Sequence, residues 1–279
     1  MQILLKRVRF DLQQAIAILD SGVGGLTVVK EVMRQLPQEK IIYFGDTART
    51  PYGPRPADEV LTFTRQIVDY LLQYDPKMIV IACNTATAVG LQDIRSRVNI
   101  PVLGVIHPGV RAAIKMTKSN RIGVIGTEGT IRSGAYEEAL RQISPHVMVE
   151  QLACPQFVTL VENGQTHGAE TERIVTQTLQ PMKRNDMDCL ILGCTHYPFL
   201  SDVIGSVMGD AVQLISSADE TAREVSTILY HRGQLSQTEE LPVHQFFSTG
   251  EAQPFKEIAS RWLQQEIQVT PVSWHTVRP

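Results

Sequence analysis

The chain has 279 residues, 43% of them hydrophobic, which is enough for a substantial core and about two domains. Its formal charge of -3, without a run of lysine or arginine, argues against nucleic acid as a partner. No apolar run approaches the roughly 20 residues of a membrane span. The apolar stretch near the start, Ile3 to Leu5, is too short for a signal peptide, so we expect a cytoplasmic protein.

Short apolar runs alternate with amphipathic stretches, which predicts an α/β fold with mainly parallel sheets flanked by helices. In the first half, strands are predicted at 15–19, 41–44 and 78–82, and helices at 26–36 and 60–72. In the second half, strands are predicted at 121–125 and 189–192, and a helix at 131–143. The final segment is predicted to add helices at 221–230 and 255–263 and a strand at 244–247.

The two halves repeat one arrangement. Each begins with a strand that opens into a glycine-containing loop, DSGVGG or GTEGT, and each later delivers a cysteine from a strand end, Cys83 or Cys194. Ligands bind at the carboxyl ends of strands in open α/β sheets, so we expect both thiols across one cleft. We predict two pseudosymmetric domains with the site between them. The first comprises 15–105 plus 217–279, the second 106–216, and 1–14 is an N-terminal extension.

Two opposed thiols suit the inversion of an amino acid at its α-carbon. A free thiol has a pKa of roughly 8.5, so modest environmental shifts leave one ionised and the other protonated. One group then removes the α-proton while the other supplies a proton to the opposite face. The four cysteines show no CxxC pairing, so they are expected to be free thiols. For Cys154 and Cys189 we expect simple packing.

The polar motifs leave alternatives open. DSGVGG matches no complete phosphate-loop pattern, but its backbone N–H groups suit a carboxylate. Asp20 in this motif either points into the cleft or caps the helix beginning near Leu26. In GDTARTPYG, turn chemistry alone explains the proline and the glycine, and Asp46 and Tyr52 fit either a binding loop or the surface.

Five motifs in this order, LDSGVGGLTV, GDTARTPYG, CNTAT, IGTEGTI and GCTHYP, resemble the pattern of the glutamate racemase family over about residues 15–217. The resemblance implies an isomerase that makes D-glutamate for peptidoglycan and cell wall synthesis without pyridoxal phosphate or metal. It also implies a cytoplasmic bacterial enzyme with two α/β domains, commonly a homodimer.

The resemblance also implies residue roles. Cys83 would act on the D-enantiomer and Cys194 on the L-enantiomer, with Asp20 and His196 assisting. The positions that match substrate-binding residues are Asp20, Ser21, Tyr52, Gly53, Asn84, Thr85, Thr195 and His196. Supporting candidates are Asp46, Thr127, Thr130 and Glu162.

Four other interpretations fit parts of the sequence. Cys83, Cys194 and His196 provide three zinc-ligand types, although their spacing is unusual. Cys194 and His196 also suit a thiol amidohydrolase, which would leave Cys83 unexplained. A two-lobed protein that binds an amino acid without turnover is a third interpretation. A racemase of aspartate or another small substrate is the fourth, because one methylene changes discrimination by only about 1–3 kcal/mol.

Overall fold

The computed structural model describes residues 12–184 and 186–274, so most of the predicted extension at 1–14 lies outside the described residues. Two parallel sheets flanked by helices form the fold, which confirms the predicted α/β class. The first sheet has the order β10-β9-β2-β1-β3-β4. Its strands are β1 (Ile16–Asp20), β2 (Ile41–Gly45), β3 (Met78–Ile81), β4 (Val102–Gly104), β9 (Gln245–Ser248) and β10 (Val269–Pro271).

The second sheet has the order β6-β5-β7-β8. Its strands are β5 (Arg121–Gly126), β6 (Met148–Ala153), β7 (Cys189–Gly193) and β8 (Gln213–Ser216). The helices are α1 (Leu26–Gln35), α2 (Ala57–Leu72), α3 (Asn84–Arg97), α4 (Ile106–Met116), α5 (Glu128–Arg132), α6 (Ala135–Ile143), α7 (Pro155–Glu162), α8 (Ala169–Leu179), α9 (Ser201–Met208), α10 (Ser217–Arg232) and α11 (Ala252–Leu263). Short 3-10 turns cover Met182–Arg184 and Tyr197–Leu200.

Strand β1 shows why the central strands are continuous apolar runs. Ile16 and Ile18 point into a core shared with α1, α10 and α11, whereas Ala17 and Leu19 point into a core shared with α2 and α3. Successive side chains of a strand lie on opposite faces, and here both faces are covered. A strand buried on both sides needs apolar residues at every position rather than at alternate ones.

The predicted single helix at 131–143 is wrong, because the chain forms two helices there. The first, α5, begins after Thr127, whose hydroxyl accepts a hydrogen bond from the N–H of Thr130. Gly134 then adopts φ 69°, a left-handed conformation that favours glycine, and α6 begins at the next residue. The apolar periodicity of the segment continues across this break, so periodicity alone did not reveal it.

The C-terminal segment contributes strands to the first sheet. β9 pairs with β2 and β10 pairs with β9, both in parallel. Helix α10 places Val225 and Leu229 in the same core as Val29 and Val32 of α1. The exact domain boundaries stay a prediction. Among the described residues, no helix combines the length and the apolar character needed to cross a bilayer.

Asp188 fixes the turn that enters the second sheet. Its carboxylate accepts hydrogen bonds from the N–H groups of Lys118 and Ser119, at 2.6 and 2.7 Å, and from the hydroxyl of Thr117 at 2.6 Å. Burial alone would raise the pKa of Asp188, but these hydrogen bonds outweigh it and lower the pKa to about 2. The carboxylate therefore stabilises the fold while it is ionised.

We expect Asp188→Asn to lower the free energy of unfolding by about 1 kcal/mol at neutral pH, a value discounted for the partial exposure of the carboxylate. Because the pKa is lowered on folding, this contribution is complete above about pH 4 and is lost as the pH falls through about 2. Urea unfolding at pH 7 and pH 3 should show a smaller difference at pH 3. The exposed Asp210 provides the control, Asp210→Asn. Equal differences at both pH values would contradict this role.

Candidate active site

Cys83 and Cys194 line one cavity, although they follow strands of different sheets. Cys83 follows β3 and Cys194 follows β7, so carboxyl ends of parallel strands supply both thiols. Their residues are only 5% and 7% exposed, which removes most water from around the sulfurs. The other lining residues are Ser21, Thr50, Pro51, Tyr52, Gly53, Asn84, Thr85, Thr127, Val158, Thr195 and His196.

The Cys83 thiol is held at the start of α3. Cys83 is the N-cap of this helix, and its sulfur accepts a weak hydrogen bond from the N–H of Ala86 at 3.5 Å. Burial, together with the nearby carboxyl of Asp20, raises the pKa of the Cys83 thiol to about 12. Cys83 therefore carries its proton at neutral pH.

Cys194 has a different electrostatic environment. Its sulfur lies 3.7 Å from Nδ1 of His196, and Nε2 of His196 lies 3.3 Å from Oε1 of Glu162. Burial alone would lower the pKa of His196, but the contacts with Cys194 and Glu162 outweigh it and raise the pKa to about 10. The protonated imidazole therefore places a positive charge beside the Cys194 sulfur.

Asp20 lies beneath the cavity and is completely buried. Its carboxylate accepts hydrogen bonds from the N–H of Gly22 at 2.9 Å and from the hydroxyl of Thr195 at 3.2 Å. Burial raises its pKa, and the neighbouring His196 opposes that shift. Gly25, not Asp20, is the N-cap of α1, but the Asp20 carboxylate also interacts with the backbone N–H of Gly25 at the start of that helix.

The motif DSGVGG lets the two sheets approach closely. A Cβ atom added to Gly24 would lie 2.7 Å from Nδ1 of His196, closer than real Cβ contacts allow. Glycine at this position therefore leaves room for the histidine of GCTHYP. The close approach explains why residue 24 is a glycine, and no phosphate ligand is needed to explain it.

The surface alternative for Asp46 and Tyr52 is wrong, because both are buried. Tyr52 lines the cavity, and its hydroxyl donates to the carboxylate of Asp46. That carboxylate also accepts from Arg49 Nε at 2.6 Å, Thr249 Oγ1 at 2.7 Å and Trp274 Nε1 at 2.9 Å. Asp46 does not itself line the thiol cavity, so it acts on the site by holding the loop that carries Tyr52.

Three threonine hydroxyls join the two halves at the cavity. Thr85 Oγ1 lies 2.8 Å from Thr127 Oγ1 and 3.2 Å from Thr130 Oγ1, and the latter two are 3.1 Å apart. Thr85 and Thr127 line the cavity, whereas Thr130 lies behind them and is fully buried. Glu162 lines an adjoining cavity, which shares Pro51, Gly53, Thr127 and Val158 with the thiol cavity.

Sequence reasoning missed Thr50, Pro51 and Val158 among the lining residues. Thr50 Oγ1 is buried and has no hydrogen-bond partner among the described residues, as expected of a group that meets a ligand. Its position inside GDTARTPYG was the available signal. Pro51 lies in the same motif, whereas Val158 belongs to an ordinary apolar helix face that carries no such signal.

The remaining cysteines are packed as expected. Cys154 and Cys189 are fully buried in two hydrophobic clusters of the second sheet and do not line the thiol cavity. Within the described ranges, no three His, Cys, Asp or Glu side chains come together as a metal-ligand group. The zinc interpretation of Cys83, Cys194 and His196 therefore lacks a suitable arrangement of donors.

Comparisons with known proteins support the motif resemblance. The model of the family Asp/Glu/Hydantoin racemase matches residues 21–225. Glutamate racemase from Bacillus cereus is 60% identical over 257 residues, covering 92% of this chain and 96% of the relative. Glutamate racemase isoform RacE1 from Bacillus anthracis has a solved structure with 50% identity and a TM-score of 0.91, covering 94% of this chain and 98% of that one.

Two further solved structures differ clearly in how similar they are to this chain. Glutamate racemase from Francisella tularensis, solved in complex with D-glutamate, has 34% identity and a TM-score of 0.88, covering 94% and 98% of the two chains. Aspartate racemase from Picrophilus torridus has 17% identity and a TM-score of 0.56, covering 79% and 94%, and therefore shares the fold alone. The chain belongs to the Asp/Glu/Hydantoin racemase family, and it resembles the glutamate racemases of that family over nearly its whole length.

Proposed function

We propose that this protein is an isomerase that interconverts L-glutamate and D-glutamate by proton transfer between two thiols and the α-carbon. The observation that carries the proposal is the presence of Cys83 and Cys194 on one buried cavity, each after a strand of a different sheet. Inversion requires a base on one face of the α-carbon and an acid on the other. Two thiols contributed by separate sheets meet that requirement.

The unequal environments of the thiols support a starting protonation state. Cys83 holds its proton because burial and Asp20 raise its pKa to about 12, and we assign the role of the base to Cys194, whose sulfur lies beside the charged His196. From this state the Cys194 thiolate removes the α-proton of L-glutamate. The Cys83 thiol then delivers its proton to the opposite face, which yields D-glutamate, a Cys83 thiolate and a Cys194 thiol. D-glutamate reacts through the same steps in reverse.

The two carboxyl neighbours support the thiols in different ways. Asp20 disfavours a negative charge on Cys83, which keeps Cys83 protonated in the starting state and makes its thiolate a stronger base once it forms. Glu162 contacts the far nitrogen of His196 and so helps to keep the imidazole charged and oriented towards Cys194. Asp20 and His196 thus assist opposite thiols.

The cavity also offers hydrogen-bond donors for the two carboxylates of glutamate. Thr50 Oγ1 and Asn84 Nδ2 are buried there without a partner among the described residues. We assign substrate binding to Ser21, Tyr52, Gly53, Asn84, Thr85, Thr195 and His196, which line the cavity, with Thr127 as an additional contributor. Asp20 and Thr130 lie behind this lining and support it through Thr195 and Thr85. Donors on the α-carboxylate stabilise the negative charge that develops when the α-proton leaves.

Glutamate is favoured over aspartate by the similarity to known proteins. The glutamate racemase of Bacillus cereus is 60% identical over 92% of this chain, whereas the aspartate racemase of Picrophilus torridus shares 17% identity. The thiol amidohydrolase interpretation uses Cys194 and His196 but gives no role to Cys83 on the same cavity. We further propose that the product serves peptidoglycan synthesis in the cytoplasm and that the enzyme forms a homodimer.

Incubation of the purified protein with L-glutamate in heavy water tests the reaction. We expect the circular dichroism signal of L-glutamate to decay to zero and D-glutamate to appear on chiral chromatography, with solvent deuterium at the α-carbon. The same incubation with L-aspartate is the control and should show little change. Product that retains its original α-hydrogen would contradict the two-thiol mechanism, and activity on aspartate alone would change the substrate.

A further inference from the structure

A phenol from the second half of the molecule contacts a cavity residue of the first half. Tyr136 lies on α6, and its hydroxyl donates a 2.7 Å hydrogen bond to Oδ1 of Asn84, the first residue of α3. Tyr136 is fully buried and Asn84 is 3% exposed, so water does not compete effectively for this bond. Asn84 lines the thiol cavity, whereas Tyr136 does not.

This hydrogen bond determines which end of the Asn84 amide is available to a ligand. With Oδ1 engaged by the phenol, Nδ2 is left buried without a partner among the described residues. A flipped amide would leave the phenolic hydrogen without an acceptor in the described part of the chain. It would also turn an oxygen towards a bound carboxylate, which is repulsive, whereas the observed orientation offers two N–H donors.

The packing around Tyr136 keeps the phenol in this position. A Cβ atom added to Gly193 would lie 3.0 Å from Cε2 of the ring, so the glycine that precedes Cys194 provides the space the ring occupies. Burial raises the pKa of Tyr136 far above its ordinary value, so the hydroxyl remains a neutral donor throughout the working pH range. The Tyr136 hydroxyl is therefore held in one place and remains protonated, so it is always available as a donor to Asn84.

We propose that Tyr136 is a positioning residue, which orients the Asn84 amide so that Nδ2 donates to a carboxylate of the substrate. This inference rests on the proposed function and adds a residue that does not touch the substrate. Tyr136 packs with the second sheet and Asn84 follows β3 of the first. The carboxylate donor is therefore correctly oriented only when the two halves are docked together.

Steady-state kinetics of Tyr136→Phe test the proposal. We expect KM for glutamate to rise about tenfold while kcat stays within about threefold, because the lost interaction orients the substrate rather than transfers protons. Tyr197→Phe is the matched control, since its buried hydroxyl donates to the backbone carbonyl of Cys154 outside the cavity. The control should lose similar stability and change KM by less than about twofold.

Two variants of Asn84 separate positioning from simple structural support. Asn84→Asp keeps an acceptor for the Tyr136 hydroxyl but removes the Nδ2 donor, so KM should rise at least as much as in Tyr136→Phe. In an Asn84→Ala background, adding Tyr136→Phe should change KM by less than about twofold, because the phenol acts through the missing amide.

Several results would overturn the inference. These are an unchanged KM in Tyr136→Phe, a near-normal KM in Asn84→Asp, or effects of Tyr136→Phe and Asn84→Ala that multiply. If Tyr136→Phe does not fold, the KM of Asn84→Asp is the remaining test. An increased KM supports the inference, and a near-normal KM overturns it. An unmodified protein that does not racemise glutamate would overturn the proposed function together with this inference. An active unmodified protein with an insensitive Tyr136 would overturn the inference alone.

Discussion

Replacing either cavity thiol by alanine, as Cys83→Ala or Cys194→Ala, is expected to reduce racemisation by at least about 10³-fold in both directions, since an essential proton donor or acceptor is lost. L-glutamate and D-glutamate have equal free energies in water, so kcat/KM must be the same for both in any variant. Loss of the thiol on one face therefore stops the reaction from either side. Chiral chromatography of both enantiomers after long incubation measures the loss.

The remaining thiol should still act on its own face. In Cys83→Ala, any residual exchange of the α-hydrogen with solvent deuterium is expected only in L-glutamate, because Cys194 faces that enantiomer in the proposed mechanism. Cys194→Ala should show the reverse. Cys189→Ala is the matched control, since it removes a fully buried thiol that does not line the cavity. Turnover near normal in either cavity variant, with the control also active, would refute the two-thiol assignment.

His196→Asn is expected to lower kcat/KM for glutamate by about 10²-fold at pH 8, because the positive partner of the Cys194 thiolate is removed. In the unmodified protein, burial opposes protonation of His196 but its contacts raise the pKa to about 10, so the imidazole is charged below that pH. As the pH rises through about 10, His196 loses its proton and kcat/KM should fall.

The variant should respond to pH in the opposite sense. Without an imidazolium, ionisation of Cys194 depends on the solution pH, so the residual activity of His196→Asn should increase from pH 7 to pH 10. His107→Asn is the control, because His107 lies on α4 and does not line the thiol cavity. A variant whose pH profile has the shape of the unmodified protein's profile would contradict the role of His196. Circular dichroism of each variant verifies that the fold is retained.

Much of the fold could be predicted from local patterns. Strands such as β1 and β3 are short apolar runs buried on both faces, which alternate with amphipathic helices, and this pattern is typical of parallel α/β sheets. The error at 131–143 arose where one left-handed glycine redirects the chain without interrupting the apolar pattern. The conformation of Gly134 alone separates the two helices there. Periodicity does not detect such a break, because it is judged over several residues.

The candidate site, like the fold, could be predicted only in part from the sequence. The sequence by itself determined that two thiols follow strand ends in matching halves, because that statement needs only the order of strands and motifs. Only the tertiary structure decided that Asp46 holds a loop instead of lining the cavity, that His196 contacts Glu162, and that Tyr136 donates a hydrogen bond to Asn84. Each of these contacts joins side chains through packing geometry, and residues 84 and 136 are 52 positions apart. Local propensity and spacing do not specify which side chains meet, because that depends on how loops and helices pack and, for Tyr136 and Asn84, on how the two sheets dock.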